Sequence, residues 1–290
     1  EIRGLTFQNG KSINAVKGCD GAKIINNKFL GKGYTWAAIN TEGSDILVQG
    51  NEIALDGNAV GTQGHGIYIA QGENIRVAEN RVSGMSGYGI HVFDQKRSGD
   101  IDQRVIKNVI ITGNVCFDSK ERAGIIVAAQ APDAFIENVE IYKNEVRDCP
   151  GNGITVIDQV SGVSIYNNTI YNVNTDGKRA NGEDGIYVGR NVGDVNILNN
   201  IVWHQADGHH IAVENAQNVL GQSNLYWPGQ PRLLNFIDRR PFNADPLFVD
   251  QAGRDFHLLK GSPAIDAGVD VGLPYTGTTI DLGAFEFTGR

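Results

Sequence analysis

Several residues of this chain belong to the types that move protons and hold anions. Tyr68, His91 and Tyr187 stand at the same place in short look-alike segments, GIYI, GIHV and GIYV, three of a longer series. A little beyond those segments come Asp94, Asp158 and Arg190, shadowed by Gln95, Gln130, Gln159 and Asn191. A histidine or a lysine such as Lys96 can take a proton, a tyrosine can return one, and an arginine such as Arg122 or Arg190 can grip a carboxylate. Two carboxylates, Asp94 and Asp158, could instead share general acid and base work. Asp94, Asp100 and Asp102 offer hard oxygen ligands of the kind calcium takes.

These residues need a scaffold, and the chain supplies one by repetition. Asparagines at 27, 51, 80, 114, 144, 168, 200 and 224 each close a short strand. Three residues before them stand Ile24, Val48, Val77, Ile111, Ile141, Ile165, Ile197 and, breaking the series, Gly221. Five before stand Ala22, Ile46, Ile75, Val109, Val139, Val163, Val195 and Val219, the two-residue alternation of a strand with one buried face. Two after come Phe29, Ile53, Val82, Cys116, Val146, Ile170, Val202 and Tyr226, so the chain bends at the amide and turns inward again.

A second strand precedes this one in each repeat, opened by glycine in Gly66-Ile67, Gly89-Ile90, Gly124-Ile125, Gly153-Ile154 and Gly185-Ile186. Two strands and a bend cannot bury an apolar face alone; stacked on copies of themselves they enclose a continuous column. The expected fold is all-β, a single-stranded right-handed parallel β-helix over 1–227 with a capping or closing segment over 228–290. In it the asparagines stack and satisfy one another.

The spacings between asparagines, 24, 29, 34, 30, 24, 32 and 24, show that the middle rungs carry extra residues. These fall at 54–65, 94–108, 128–138 and 171–184, flanking the Gly-Ile strand, and predict walls on either side of a groove. The outward row of its floor reads Ala38, Tyr68, His91, Ile126, Thr155, Tyr187 and Ala212. A second row past the strand ends reads Gln71, Asp94, Ala129, Asp158, Arg190 and Asn215. Aromatic faces and clustered polar groups suit a sugar chain, with Tyr68, Arg122, Gln95, Gln130, Gln159, Asn191, Glu183 and Asp184 as binding residues.

Composition agrees and excludes other classes. The chain is 41% hydrophobic with 37 glycines, and its net charge of −8 repels phosphate polymers, so nucleic acid is not an expected partner. No apolar run is long enough for a membrane helix. Cys19, Cys116 and Cys149 form no CxxC pair and signal neither a disulfide framework nor zinc. The opening at Glu1, close to the strand-like Ile2, Leu5 and Phe7, leads us to expect that an upstream piece has been removed.

The succession GHGIYI (64–69), YGIHVF (88–93), NGITVI (152–157) and DGIYVG (184–189), with its NVxIxxN partners, resembles the pectate-lyase-like right-handed parallel β-helix superfamily of carbohydrate-active proteins. The tail ADPLFVD, DFHLL, GSPAIDAG and DLGAFEF is similar to the closing segment of secreted bacterial members. The resemblance implies an extracellular protein that acts on a polysaccharide or oligosaccharide. It supplies no complete catalytic signature: Gly64-His65-Gly66 precedes Asn174-Thr175-Asp176, the reverse of the polygalacturonase order, and DPHD is absent.

Three readings follow. The leading one is a lyase on a uronate-containing glycan, with His91 or Lys96 as base, Tyr68 or Tyr187 as acid, Arg122 or Arg190 as carboxylate clamp, and calcium among Asp94, Asp100 and Asp102 if a metal is used. The alternatives are an inverting glycoside hydrolase using Asp94 and Asp158, two rungs and so about 10 Å apart, and a non-catalytic carbohydrate-binding or structural β-helix. Oligomeric state is not legible.

Overall fold

The computed structural model describes residues 1–15, 18–32, 36–56, 63–94, 105–131, 133–175, 184–204 and 207–289. Among them every regular element is a β-strand, and apart from one hairpin all lie in three parallel sheets that wrap a common core. The first sheet stacks nine strands, from Ile2–Arg3 to Gln217–Gln222, and its longest members are Val105–Thr112 and Phe135–Tyr142. The second stacks ten, from Thr6–Gln8 to Phe242–Asn243, and the third nine, from Ile13–Ala15 to Leu233–Leu234.

Each rung thus has three strands where the sequence pattern suggests two and a bend. The third is the three- or four-residue run after each ladder asparagine, such as Arg81–Ser83 or Val115–Phe117. It is too short to show more than one inward residue, and that residue is the Phe29-to-Tyr226 series, whose members from Phe29 to Tyr226 are fully buried.

The expected amide column is present. Asn51 Nδ2 donates to Asn80 Oδ1 at 2.9 Å, Asn80 to Asn114 at 2.9 Å, Asn114 to Asn144 at 3.0 Å and Asn144 to Asn168 at 3.0 Å. The same oxygens accept the backbone N–H of the asparagine one rung earlier, as from Asn114 N to Asn144 Oδ1 at 3.0 Å. Each amide also donates to a carbonyl of the preceding rung, Asn144 to Ile111 O at 2.9 Å. The corner requires a left-handed residue just before the amide. Asn26, Glu79, Lys143, Asn167, Asn199 and Ser223 adopt it at φ between 52° and 57°, and glycine takes the place at 50 and 113.

Glycine at the entrance to the third sheet has a different cause. A Cβ on Gly66, Gly89, Gly124, Gly153 or Gly185 would meet the second-sheet core residue of the next rung, Val82, Cys116, Val146, Ile170 or Val202. At the last corner His210 replaces glycine and lies with Tyr226 across the end of the column, ring centres 5.5 Å apart. Gly221, the exception in the β-branched series, leaves its space to Phe236, whose ring a Cβ there would strike.

The boundary expected at 227/228 moves. Leu233–Leu234 pairs with Ile211 and Ala212, Phe242–Asn243 pairs with Leu225 and Tyr226, and Asp238 bridges Gly221, so winding continues to residue 243. The following segment is not a lid on the end of the stack. It runs back along the outer side of the second sheet, where Asn167 Nδ2 donates to Asp281 O at 2.7 Å, Asn199 Nδ2 to Val269 O at 2.8 Å, and Phe256 packs on Tyr171 at 4.8 Å. The apolar outer residues Tyr171, Trp203 and Leu225 need that cover, and Phe248, Phe256, Leu258 and Leu282 provide it.

Candidate functional site

The third sheet positions the site. Pairing fixes its outward row as Asn40, Tyr68, His91, Ile126, Thr155, Tyr187 and Ala212. Asn40 holds the place expected for Ala38, which instead lies fully buried in the core. Two residues further along, Phe93, Ala128, Ile157 and Gly189 form a second outward row. Ile126, Ala128 and Ile157 point away from the main core yet are buried, packed with Tyr88, Phe93 and Tyr187.

Against this floor lies a cavity of about 400 Å³ lined by Trp36, Gln63, His65, Tyr68, Tyr88, His91, Phe93, Arg122, Ile126, Gln130, Ile157 and Arg190. Five of the sequence candidates meet there: Tyr68, His91, Arg122, Gln130 and Arg190. Its centre is an aromatic and imidazole cluster. His65 stacks on Tyr68 at 5.7 Å and on Tyr88 at 5.6 Å, while His91 meets Tyr68 edge-on at 4.9 Å and Phe93 at 4.8 Å. Trp36 stands edge-on to Tyr68 at 5.4 Å. The Arg122 guanidinium sits over the Tyr88 ring, 5.8 Å from its centre.

One hydrogen bond ties the cluster to the backbone and a second joins its two imidazoles. The Tyr88 N–H donates to His65 Nδ1 at 3.0 Å, and His65 Nε2 lies 3.3 Å from His91 Nδ1. Burial, then the charge of Arg122, pushes His65 down from 6.5 to about 4. His91 is pushed well below its ordinary value by burial first, then by His65 and Arg122. Both rings are therefore neutral at pH 7.

Other candidates lie elsewhere. Asp94 belongs to the inward parity of its strand, with Ile90 and Val92, and is fully buried beside core residues. That corrects its assignment to the outward row, and with it the pairing of Asp94 and Asp158 across a bound sugar. Asp158 sits at a left-handed corner, φ 72°, where Arg190 Nε approaches Oδ1 at 3.2 Å. Burial raises its carboxyl, against the opposing pull of Arg190 and a Gln130 hydrogen bond. Tyr187 donates its phenol proton to Glu214 Oε2 at 2.9 Å and, through burial and that carboxylate, is pushed up to about 12.

Asp184 is buried at the entrance edge of the sheet, where its Oδ1 accepts His209 N–H at 2.7 Å and lies 3.0 Å from His209 Nδ1. Burial raises its carboxyl despite those bonds. Gln159 Nε2 donates to Ala131 O at 2.9 Å and Asn191 is an exposed left-handed corner, φ 66°; both shape turns. Gln95, Lys96, Asp100, Asp102 and Glu183 lie outside the described residues. The calcium set thus retains one described member, Asp94, which faces the core, and among the described residues no group of three His, Cys, Asp or Glu could hold a metal ion. The 128–138 segment is no wall: after the turn that follows Ala129 it continues as the long strand Phe135–Tyr142.

The family comparison agrees with this architecture. A family model described as "Right handed beta helix region" matches residues 1–170. The chain belongs to the right-handed β-helix family. Among solved structures, pectate lyase Pel9A is 13% identical, over 99% of this chain and 96% of that one, with a TM-score of 0.42. The A-modules of the Azotobacter vinelandii mannuronan C-5 epimerases AlgE6 and AlgE4 are 12% and 13% identical. The likeness covers 84% and 83% of this chain and 89% of each module, at TM-scores of 0.35 and 0.33. No curated protein matches.

The lining residues that sequence reading passed over are His65, Tyr88, Phe93, Gln63 and Ile157. Phe93 was within reach, since counting by two from His91 arrives there. His65 was not, because the corner at Gly66 interrupts the alternation and a histidine before it has no readable direction.

Proposed function

We propose that the groove on the third sheet takes an acidic polysaccharide and that the protein cleaves it by β-elimination at a uronate. One observation carries the reading: the described residues lining the cavity include Arg122 and Arg190, six aromatic or imidazole rings and two amides, and no carboxylate. In a chain of net charge −8, a lining with two guanidiniums, one of them paired with Asp158 at 3.2 Å just outside it, favours an anionic ligand. The aromatic rings suit the faces of a sugar chain.

In this reaction Arg122 neutralises the uronate carboxylate, which makes the C5 hydrogen acidic enough to remove. A base takes that proton, the electron pair becomes the C4–C5 double bond, and the 4-oxygen leaves with a proton from an acid. Tyr68, on the floor beside His91, is placed for the acid role; Tyr187, bonded to Glu214, is not among the lining residues. Lys96 is the candidate base and lies outside the described residues. An inverting hydrolase finds no support in the geometry, because one of its two carboxylates is buried in the core. We place the protein outside the cell, where such polymers are met.

Incubation with polygalacturonate, alginate and glycosaminoglycans, followed by absorbance of the unsaturated uronide and by reducing-end release, tests the proposal. Unsaturated product that disappears in Arg122→Ala is expected. Reducing ends without unsaturation would make the enzyme a hydrolase, and binding without either product would make the groove a carbohydrate-binding surface.

A further inference from the structure

The hydrogen bonds of the histidine pair leave its protons no freedom. A backbone N–H can only donate, so His65 Nδ1, which receives the one from Tyr88, carries no proton. A neutral His65 must then carry its proton on Nε2, the atom 3.3 Å from His91 Nδ1. That contact is a hydrogen bond only if His91 Nδ1 accepts, which leaves the proton of neutral His91 on Nε2. Protonating His91 on Nδ1 would set two N–H groups against each other in a buried site already facing Arg122.

We infer that His65 is a positioning residue whose task is to fix His91 as an uncharged Nε2–H donor in the groove. On the acidic-polysaccharide reading, that donor stands with Arg122 at the sugar carboxylate, and His91 is not the base expected from its residue type. A neutral imidazole donor beside a guanidinium recognises an acceptor-only group such as a carboxylate without adding a second charge to the buried site. Among the described residues, the titratable and charged groups that face the pair from neighbouring rungs are Tyr68, Tyr88, Arg122 and Arg190; Asp94, on His91's own strand, faces the core. The low affinity of His65 for a proton, about 4, agrees with the locked form.

The same device recurs at the end of the stack. The backbone N–H of Arg232, one rung on, donates to His210 Nδ1 at 3.0 Å, and His210 is likewise pushed down to about 4 by burial and by Arg232. An imidazole at the entrance edge of the third sheet is thus read by the next rung's backbone in both places.

Long-range proton–nitrogen correlation spectra of protein labelled with 15N at histidine test this directly, with His65→Gln and His91→Gln assigning the signals. We expect His65 and His91 both as the Nε2–H tautomer, without titration between about pH 5.5 and about pH 8. A His91 signal of the Nδ1–H form, or one titrating near its ordinary value, overturns the inference whatever the protein does. Binding of an oligogalacturonate probe supplies the second arm. Wild type binds with an affinity that is flat over that range. His65→Phe, which frees His91 to titrate, binds more tightly at the acid end, and His65→Gln, whose amide can accept from Tyr88 and donate to His91, restores the flat profile. A flat profile in His65→Phe would also overturn the inference. If the tautomers are as expected and the probe does not bind, the polysaccharide reading fails while the role of His65 stands.

Discussion

Arg122 and His91 sit side by side in the groove, but their removal has different consequences. Arg122→Ala deletes a charge-assisted contact of roughly 1.5–3 kcal/mol, a loss of about tenfold to hundredfold in affinity for an oligouronate by calorimetry. Arg122→Lys should recover only part of it, because a lysine cannot offer two parallel N–H groups. The buried histidines also predict a pH dependence of stability. His65 and His210 have folded values of about 4 against 6.5 for a free imidazole. Between those values the unfolded chain binds protons the folded one refuses, so each contributes stability above about pH 6.5 that is lost as pH falls toward about 4. Melting temperature followed from pH 7 to pH 4 should therefore fall less steeply in His210→Gln than in wild type. An identical slope would mean that His210 titrates normally in the fold. At this scale the sequence was half readable. Residue types and alternation named Tyr68, His91, Arg122, Gln130 and Arg190, whereas Asp94 was assigned to the wrong face. His91 out, Val92 in and Phe93 out puts Asp94 in, a parity the strand already contained.

The elements were more legible than their number. β-branched residues before each amide and one large apolar residue after it specify a coil, and those columns are buried except at the ends of one, where Ala22 and Val219 are partly exposed. A three-residue strand shows no period, which is why the second sheet read as a bend. The amide column is where the elements depend on one another most. Asn144→Ala removes the oxygen that accepts both the N–H and the Nδ2 of Asn114, and deletes the amide donor to Ile111 O. Several buried polar groups lose partners together, so a loss of about 2–5 kcal/mol in urea unfolding is expected. Asn138, whose Nδ2 donates to Asn108 Oδ1 on an exposed corner, provides the contrast: Asn138→Gly should change stability by no more than about 1 kcal/mol. Equal losses at the two sites would refute the distinction between the buried and exposed amide rows. Gly124→Ala should also destabilise, by about 1–3 kcal/mol, since its new methyl meets Val146.

For the molecule as a whole, the tail read as an end cover lies instead along the side of the stack, after winding that continues to residue 243. Its sequence shows apolar residues in need of burial without showing which surface they meet; that surface is the flank formed by Tyr171, Trp203 and Leu225. A chain ending at residue 243 keeps every coil and uncovers that flank, so it should melt lower and bind a hydrophobic dye such as ANS. An unchanged melting profile would show the flank to be stable in water. The stack also has a chemical direction. Along the amide column every link both donates and accepts until Asn224, whose N–H and Nδ2 reach Asp238 Oδ2 at 3.1 and 2.8 Å, joined there by the Tyr226 phenol at 2.7 Å. A carboxylate can receive but has nothing to hand on. The row of hydrogen bonds therefore ends in a full stop written into one side chain, the carboxylate of Asp238.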